Sequence, residues 1–110
     1  MDVNVGNVCE NYTVTGTTTG TYVDARTILN VKGAIFQVSN LHGANTMYYK
    51  ITGYISSHAS CVAEVIKAET SIAAATSVKN TDCVQPYAKV VVSVKQNSGA
   101  GTYQVDYIAW

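Results

Sequence analysis

From Thr46 to Ile55 the chain alternates without a break. Met47, Tyr49, Ile51, Gly53 and Ile55 take the odd positions; Thr46, Tyr48, Lys50, Thr52 and Tyr54 take the even ones. A repeat of two puts one set of side chains on each side of an extended ribbon, whereas a helix of 3.6 residues per turn would scatter both sets around its axis. The segment therefore predicts a half-buried antiparallel strand, and a strand needs neighbours. The same period returns in Ala34–Ser39, with Phe36 and Val38 inward. It returns again in Tyr87–Lys95, with Ala88, Val90, Val92 and Val94 inward and Lys89, Ser93 and Lys95 outward, Val91 being the exception on that outward side. Thr102–Trp110 closes with Tyr103, Val105, Tyr107 and Ala109 against Thr102, Gln104, Asp106 and Ile108.

Residue choice agrees with the period. The chain has 16 Val, 13 Thr, 8 Tyr and 7 Ile against 2 Leu. β-Branched and aromatic side chains suit a pleated, half-buried surface. With 110 residues and 47% hydrophobic content there is material for one core. The fold class expected is all-β: a single-domain antiparallel β-sandwich, immunoglobulin-like or jelly-roll-like, of about seven or eight strands, with a barrel as competitor. Residues 1–10 are set apart as an N-terminal arm or edge strand carrying Val3 and Val5, and 11–110 form the sandwich domain.

The remaining strands are placed at Asn11–Gly16, at Tyr22–Lys32 (broken) and at Cys61–Glu69. The last of these could also carry a helical stripe through Val62, Val65 and Ile66, but the β-branched residues favour a strand with Val62, Ile66 and Ala68 on one side. Asn40–Asn45 and Gln96–Gly101 are expected as hairpin loops, their Asn and Gly supplying positive φ. Ser71–Val78 is expected to cross between sheets, and Asn80–Asp82 to turn.

Charge narrows the function classes. Seven basic and seven acidic side chains cancel, and charged residues are only 13%. Binding nucleic acid or an anionic membrane needs an excess of Lys and Arg, so neither is expected as a partner. No apolar run approaches the roughly 20 residues of a membrane-spanning helix. The first ten residues show no basic start and no long apolar stretch, so a secretory leader is not expected.

Chemistry-bearing residues are scattered. Cys9, Cys61 and Cys83 lack zinc-type spacing. They allow one disulfide and one leftover thiol in three ways, of which Cys61 with Cys83 closes a plausible loop; without a leader, reduced thiols are the default. His42 and His58 fall in loops. A Cys–His pair with Asp82 or Asp24 can be drawn, but nothing in the spacing supports it. Carboxylates show neither a calcium loop nor a dense cluster. No enzyme, cofactor or metal is expected. Tyr48, Tyr54 and Tyr87 carry more meaning, because all three are expected opposite the core. Tyrosine there serves a protein interface, stacks on a sugar or simply packs. Trp110 either packs on the domain edge or meets a partner.

The run Ile35-Phe36-Gln37-Val38-Ser39-Asn40-Leu41-His42-Gly43-Ala44-Asn45-Thr46-Met47-Tyr48-Tyr49-Lys50-Ile51-Thr52-Gly53 resembles small virion proteins of tailed phages. In those a strand ending in Val-x-Asn passes through Gly-Ala-Asn into a second alternating strand. Glu69–Val78, Tyr87–Lys95 and Thr102–Tyr107 look similar too. The likeness covers roughly residues 28–110, and the loop Asn40–Asn45 is a residue longer than the usual form. The resemblance implies a β-sandwich structural protein of the virion, assembled in the host cytoplasm: a capsid decoration (cement) protein, or a tail or head–tail component. It implies the major capsid protein or another virion protein as partner, with a dimer, trimer or repeated copies on a particle. Val3, Val5, Tyr48, Tyr54, Tyr87 and Trp110 are then the candidate partner-binding residues. A carbohydrate-binding module on a fibre or cell surface and a tail or filament subunit are the alternatives.

Overall fold

The computed structural model describes residues 10–56, 58–83 and 85–110. Val3, Val5 and Cys9 lie outside these. Eight strands are described: β1 (Glu10–Thr18), β2 (Val23–Val31), β3 (Ala34–Asn40), β4 (Met47–Tyr54), β5 (Glu64–Ile72), β6 (Ser77–Cys83), β7 (Tyr87–Gln96) and β8 (Gly101–Ala109). They form two four-stranded antiparallel sheets, β1-β8-β3-β6 and β2-β7-β4-β5. This is the strand order of a jelly roll, in which two sheets are wound together rather than stacked from hairpins. The all-β sandwich expected from the sequence is present.

The core is the layer between the sheets. Phe36 and Val38 of β3, Val105 of β8, Met47 and Ile51 of β4, and Val90, Val92 and Val94 of β7 have no exposure at all. Each of these sits on the inward side that its alternation assigned. The Phe36 and Tyr107 rings lie 6.0 Å apart in a tilted contact. In β2 the register slips between Asp24 and Arg26, inside the Tyr22–Lys32 stretch expected to hold a broken strand. The slip sends Ala25 to the core side, and Arg26 follows, its guanidinium 5.3 Å from the centre of the Tyr107 ring.

Both expected hairpin loops are corrected. Asn40–Asn45 joins β3 to β4 and Gln96–Gly101 joins β7 to β8, and each pair of strands belongs to different sheets. Among the described strands only β4 and β5 are consecutive neighbours within one sheet. Loop composition reports that the chain reverses, not which sheet it re-enters. Ser71–Val78 does cross between sheets, from β5 to β6. Asn40 is not at positive φ; the described non-glycine residues that are so placed are Asn30 and Ala75. Its side chain, almost fully buried, donates to the carbonyls of Asn45 (2.8 Å), Ile72 (3.2 Å) and Ala73 (3.3 Å) and accepts from the His42 N–H. It ties the β3–β4 loop to the β5–β6 turn.

Two boundaries also move. The strand expected from Cys61 begins at Glu64, leaving Val62 exposed, and Val65 is exposed as well, with Ile66 packed on the core. The turn expected at Asn80–Asp82 is instead the interior of β6, because Asn80 pairs with Phe36 across the sheet. Short-range polarity there is overridden by a strand partner more than forty positions earlier in the chain.

Gly53 occupies an inward position of β4, and the Tyr87 ring lies across it: a Cβ added at Gly53 would fall 2.5 Å from Tyr87 Cε1. Gly53→Ala is expected to cost about 1–3 kcal/mol by overpacking. In a Tyr87→Ala background most of that penalty disappears. Urea unfolding of the four members of the cycle measures the coupling; equal penalties in both backgrounds would show that the ring does not limit the site.

Candidate interaction surface

The outer side of the β2-β7-β4-β5 sheet is built in rows by the register. Leu29, Lys89 and Tyr54 lie side by side on β2, β7 and β4. Thr27, Val91, Thr52 and Val65 form the next row and extend it onto β5. Asp24, Ser93 and Lys50 follow, and Lys95, Tyr48 and Ser71 come last. Leu29 and Val65 are more than half exposed, so the face carries apolar area as well as rings.

Lysines are laid on the tyrosines. Lys89 Nζ stands 4.3 Å from the centre of the Tyr54 ring, and Lys95 Nζ 5.7 Å from that of Tyr48. Tyr22, just ahead of β2, has Lys50 and Lys95 at 4.4 and 4.8 Å. Cations over rings are attracted by the negative face of the π system. These stems and rings also roof the middle of the face, since long side chains cover apolar surface while their charged ends stay wet. That accounts for Val91 and Ser93, which point outward on β7 yet are nearly buried. Val91, the odd member of its row by sequence, is thus sheltered, and Ser93 donates to Asp24 Oδ1 at 3.0 Å rather than to water.

One corner is a network. The Tyr22 hydroxyl donates to Glu69 Oε1 at 2.5 Å, and Lys95 Nζ lies 3.4 Å from the same oxygen. The bond from Tyr22 holds the Glu69 carboxyl below the usual carboxylate range, helped by Lys95 and Lys50 and opposed by burial. Burial first, then the bond to Glu69 and its charge, push the Tyr22 hydroxyl well above the ordinary tyrosine value.

Tyr48 and Tyr54 are therefore where the sequence placed them, on the side away from the core. Tyr87 is a correction. It packs against the core over Gly53 and its hydroxyl donates to Glu64, because the missing side chain at Gly53 leaves a slot that the ring fills. Trp110 also lies over a glycine: a Cβ at Gly33 would meet its indole, and Trp110 N–H and C=O bond with Gly33 and Lys32 backbone. It packs on the domain edge with 39% of its surface exposed. Tyr22, Lys50, Lys95 and Glu69 were not anticipated. The alternation around Lys50 and Lys95 placed those two outward, but only the sheet order brings β5 and the start of β2 to them.

The loop residues are locally engaged. His42 Nδ1 accepts from the N–H groups of Ala44 and Asn45, both at 3.0 Å. His58 Nδ1 lies 2.8 Å from Ser60 Oγ, in the turn closed by the bond from Cys61 N–H to the His58 carbonyl. Cys61 carries a free thiol, and the side chain of Cys83 lies outside the described residues. Among the described residues no three His, Cys, Asp or Glu side chains gather as a metal site would require. No described helix is long and apolar enough to cross a membrane.

No protein family and no curated protein matches this sequence. Solved structures do share the fold. The chain is 14% identical to PirA, with TM-score 0.57 over 90% of this chain and 92% of that one. It is 13% identical to a subunit of the disulfide-linked pili of Bacillus endospore appendages, with TM-score 0.50 over 93% and 86%. It is 10% identical to a virion chain of infectious bursal disease virus, Gx strain, with TM-score 0.50 over 94% of this chain and 31% of that chain. A Yersinia pseudotuberculosis mitogen and an Aeromonas hydrophila lysozyme inhibitor share it too, so the likeness speaks to fold and leaves function to the surface.

Sign follows from the network. Glu69 is depressed, so its contribution is present above the ordinary glutamate range and is lost as pH falls through its own lowered value. Tyr22 is raised, so its contribution is whole below the ordinary tyrosine value and is lost as pH climbs beyond it. Tyr22→Phe is expected to return the Glu69 titration, followed by carbon-13 NMR of the carboxyl, toward the usual glutamate range. An unmoved Glu69 would show that the hydroxyl does not hold it.

Proposed function

We propose that this chain is a structural protein of a virion, of the capsid decoration (cement) type, which binds an assembled shell in repeated copies and stabilises it through contacts with the major capsid protein and with its own neighbours. Its role is binding, without catalysis or cofactor. The observation that carries this reading is the outer face of β2-β7-β4-β5, where Tyr22, Tyr48 and Tyr54 lie among Leu29, Val65 and lysines already held over the rings. A face of that kind offers aromatic and apolar area for burial while its cations are partly satisfied beforehand. That lowers the desolvation cost of docking. Its rigid sheet support also limits the entropy lost on binding. The jelly-roll order supports the reading as a fold used by capsid domains, and repetition on a shell multiplies weak contacts.

A glycan-binding module is the second reading, favoured by the outward tyrosines and by the use of jelly rolls in lectins. It is the weaker of the two, because a sugar stacks on the ring face and Lys50, Lys95 and Lys89 already stand there.

Co-sedimentation of the purified chain with assembled particles tests the first reading. Tyr54→Ala with Leu29→Ser is expected to weaken attachment about tenfold or more, as removal of interface anchors does, with little change in melting. Attachment equal to wild type would remove the outer face from the interface. Removal of residues 1–10 is expected to weaken attachment more than it weakens the fold. On a glycan array, Tyr48→Ala and Tyr54→Ala should leave nothing to lose; a specific glycan signal that either abolishes would favour the second reading.

A further inference from the structure

An outermost strand leaves every second backbone N–H and C=O pointing away from its sheet, and proteins usually blunt such edges. Four strands are outermost here: β1 and β6 in one sheet, β2 and β5 in the other. Three of them are interrupted. β2 slips register between Asp24 and Arg26 and holds Asn30 at φ 56°. β5 slips twice against β4, and β6 slips opposite Ala34 and Phe36. Slips of this kind twist an edge away from any further strand.

β1 has none of these devices. It pairs with β8 over nine consecutive residues, from Glu10 opposite Ala109 to Thr18 opposite Gly101, without a slip. It contains no Lys, Arg or Pro. Among the described residues no strand other than β8 pairs with it.

We propose that the free edge of β1 pairs antiparallel with β1 of a second copy of this chain, about a twofold axis at Val14. This deepens the assembly reading above by naming the edge and the partner. Centring on Val14 is the choice that overlaps all nine residues. It sets Glu10 opposite Thr18, Asn11 opposite Thr17, Tyr12 opposite Gly16, Thr13 opposite Thr15, and Val14 opposite itself.

The strand is its own complement in this register. Thr13 and Thr15, both exposed on the outer side, meet each other as a cross-strand pair of a favourable kind. Val14, which packs against the core, meets Val14 of the other copy on the inner side. Glu10, the strand's one charged residue, holds the register position opposite Thr18, so no two like-charged residues are paired. The contact is isologous, as closed twofold dimers require, and it runs the two sheets into one of order β6-β3-β8-β1-β1-β8-β3-β6. A foreign peptide could match the backbone, but it would have to reproduce these side-chain pairings, which a second copy supplies by symmetry.

Sedimentation velocity of the full chain across micromolar concentrations tests the pairing. Wild type is expected as a dimer. Thr13→Lys with Thr15→Lys places like charges opposite each other twice and should raise the dimer dissociation constant about tenfold or more. Thr13→Lys with Thr15→Glu places opposite charges in the same register and should restore the dimer. Circular dichroism melting separates lost pairing from lost fold: both variants should melt close to wild type. A wild type that stays monomeric, a Lys/Lys variant that pairs as well as wild type, or a Lys/Glu variant that stays folded and monomeric would each overturn the register. A chain lacking residues 1–9 should also pair; pairing that emerged only on truncation would make those residues the occupant of the edge and overturn the proposal. Particle attachment is a separate readout, so a chain that dimerises but ignores particles keeps this inference and loses the virion reading.

Discussion

Phe36, Ile51, Val92 and Val105 come from four strands in two sheets and are wholly shut from water against one another. Removing that apolar layer from solvent is the favourable term on which the domain depends, since nothing in an extended ribbon stabilises it alone. Because successive side chains point to opposite sides, fixing the inner layer also fixes the outer one. Tyr48, Lys50, Thr52 and Tyr54 face outward because Met47, Tyr49, Ile51 and Gly53 face inward. A single-residue slip in β4 would exchange the two sets, so the surface is as tightly specified as the core.

The two outer faces differ in kind. On β1-β8-β3-β6 small polar groups satisfy one another: Thr13 donates to Asp106 at 2.6 Å, Gln104 to Asp106 at 3.0 Å, and Ser39 and Ser77 share a bond of 2.7 Å. On β2-β7-β4-β5 the rings of Tyr48 and Tyr54 and the stems of Lys50, Lys89 and Lys95 lie among Thr27, Thr52, Ser71 and Ser93. The uninterrupted edge of β1 belongs to the first of these sheets, whose outer side also carries the paired Ile35 and Ile108. The Tyr22–Glu69–Lys95 corner further stiffens the second face, because each member limits the rotamers of the other two.

Glycines shape the ends of the sandwich through what lies on them. Tyr87 over Gly53 and Trp110 over Gly33 each pack a ring where a glycine leaves room for it. Nothing local distinguishes Tyr87 from Tyr54. Their different fates follow from a slot in a strand more than thirty residues away.

Alternation and residue type determined, from the sequence by itself, that this protein is a β-sandwich, that Phe36, Val38, Met47, Ile51, Val90, Val92, Val94 and Val105 face the core, and that Tyr48 and Tyr54 face outward. Those facts are written in neighbouring residues, because side-chain direction in a strand repeats every second position. Only the tertiary structure decided that Asn40–Asn45 and Gln96–Gly101 carry the chain from sheet to sheet, that Asn80 lies inside a strand, and that Tyr22, Glu69 and Lys95 meet. Pairing joins residues far apart in the chain. The free energy that selects one partner over another comes from the shared core and not from any segment alone, so no short stretch of residues records it.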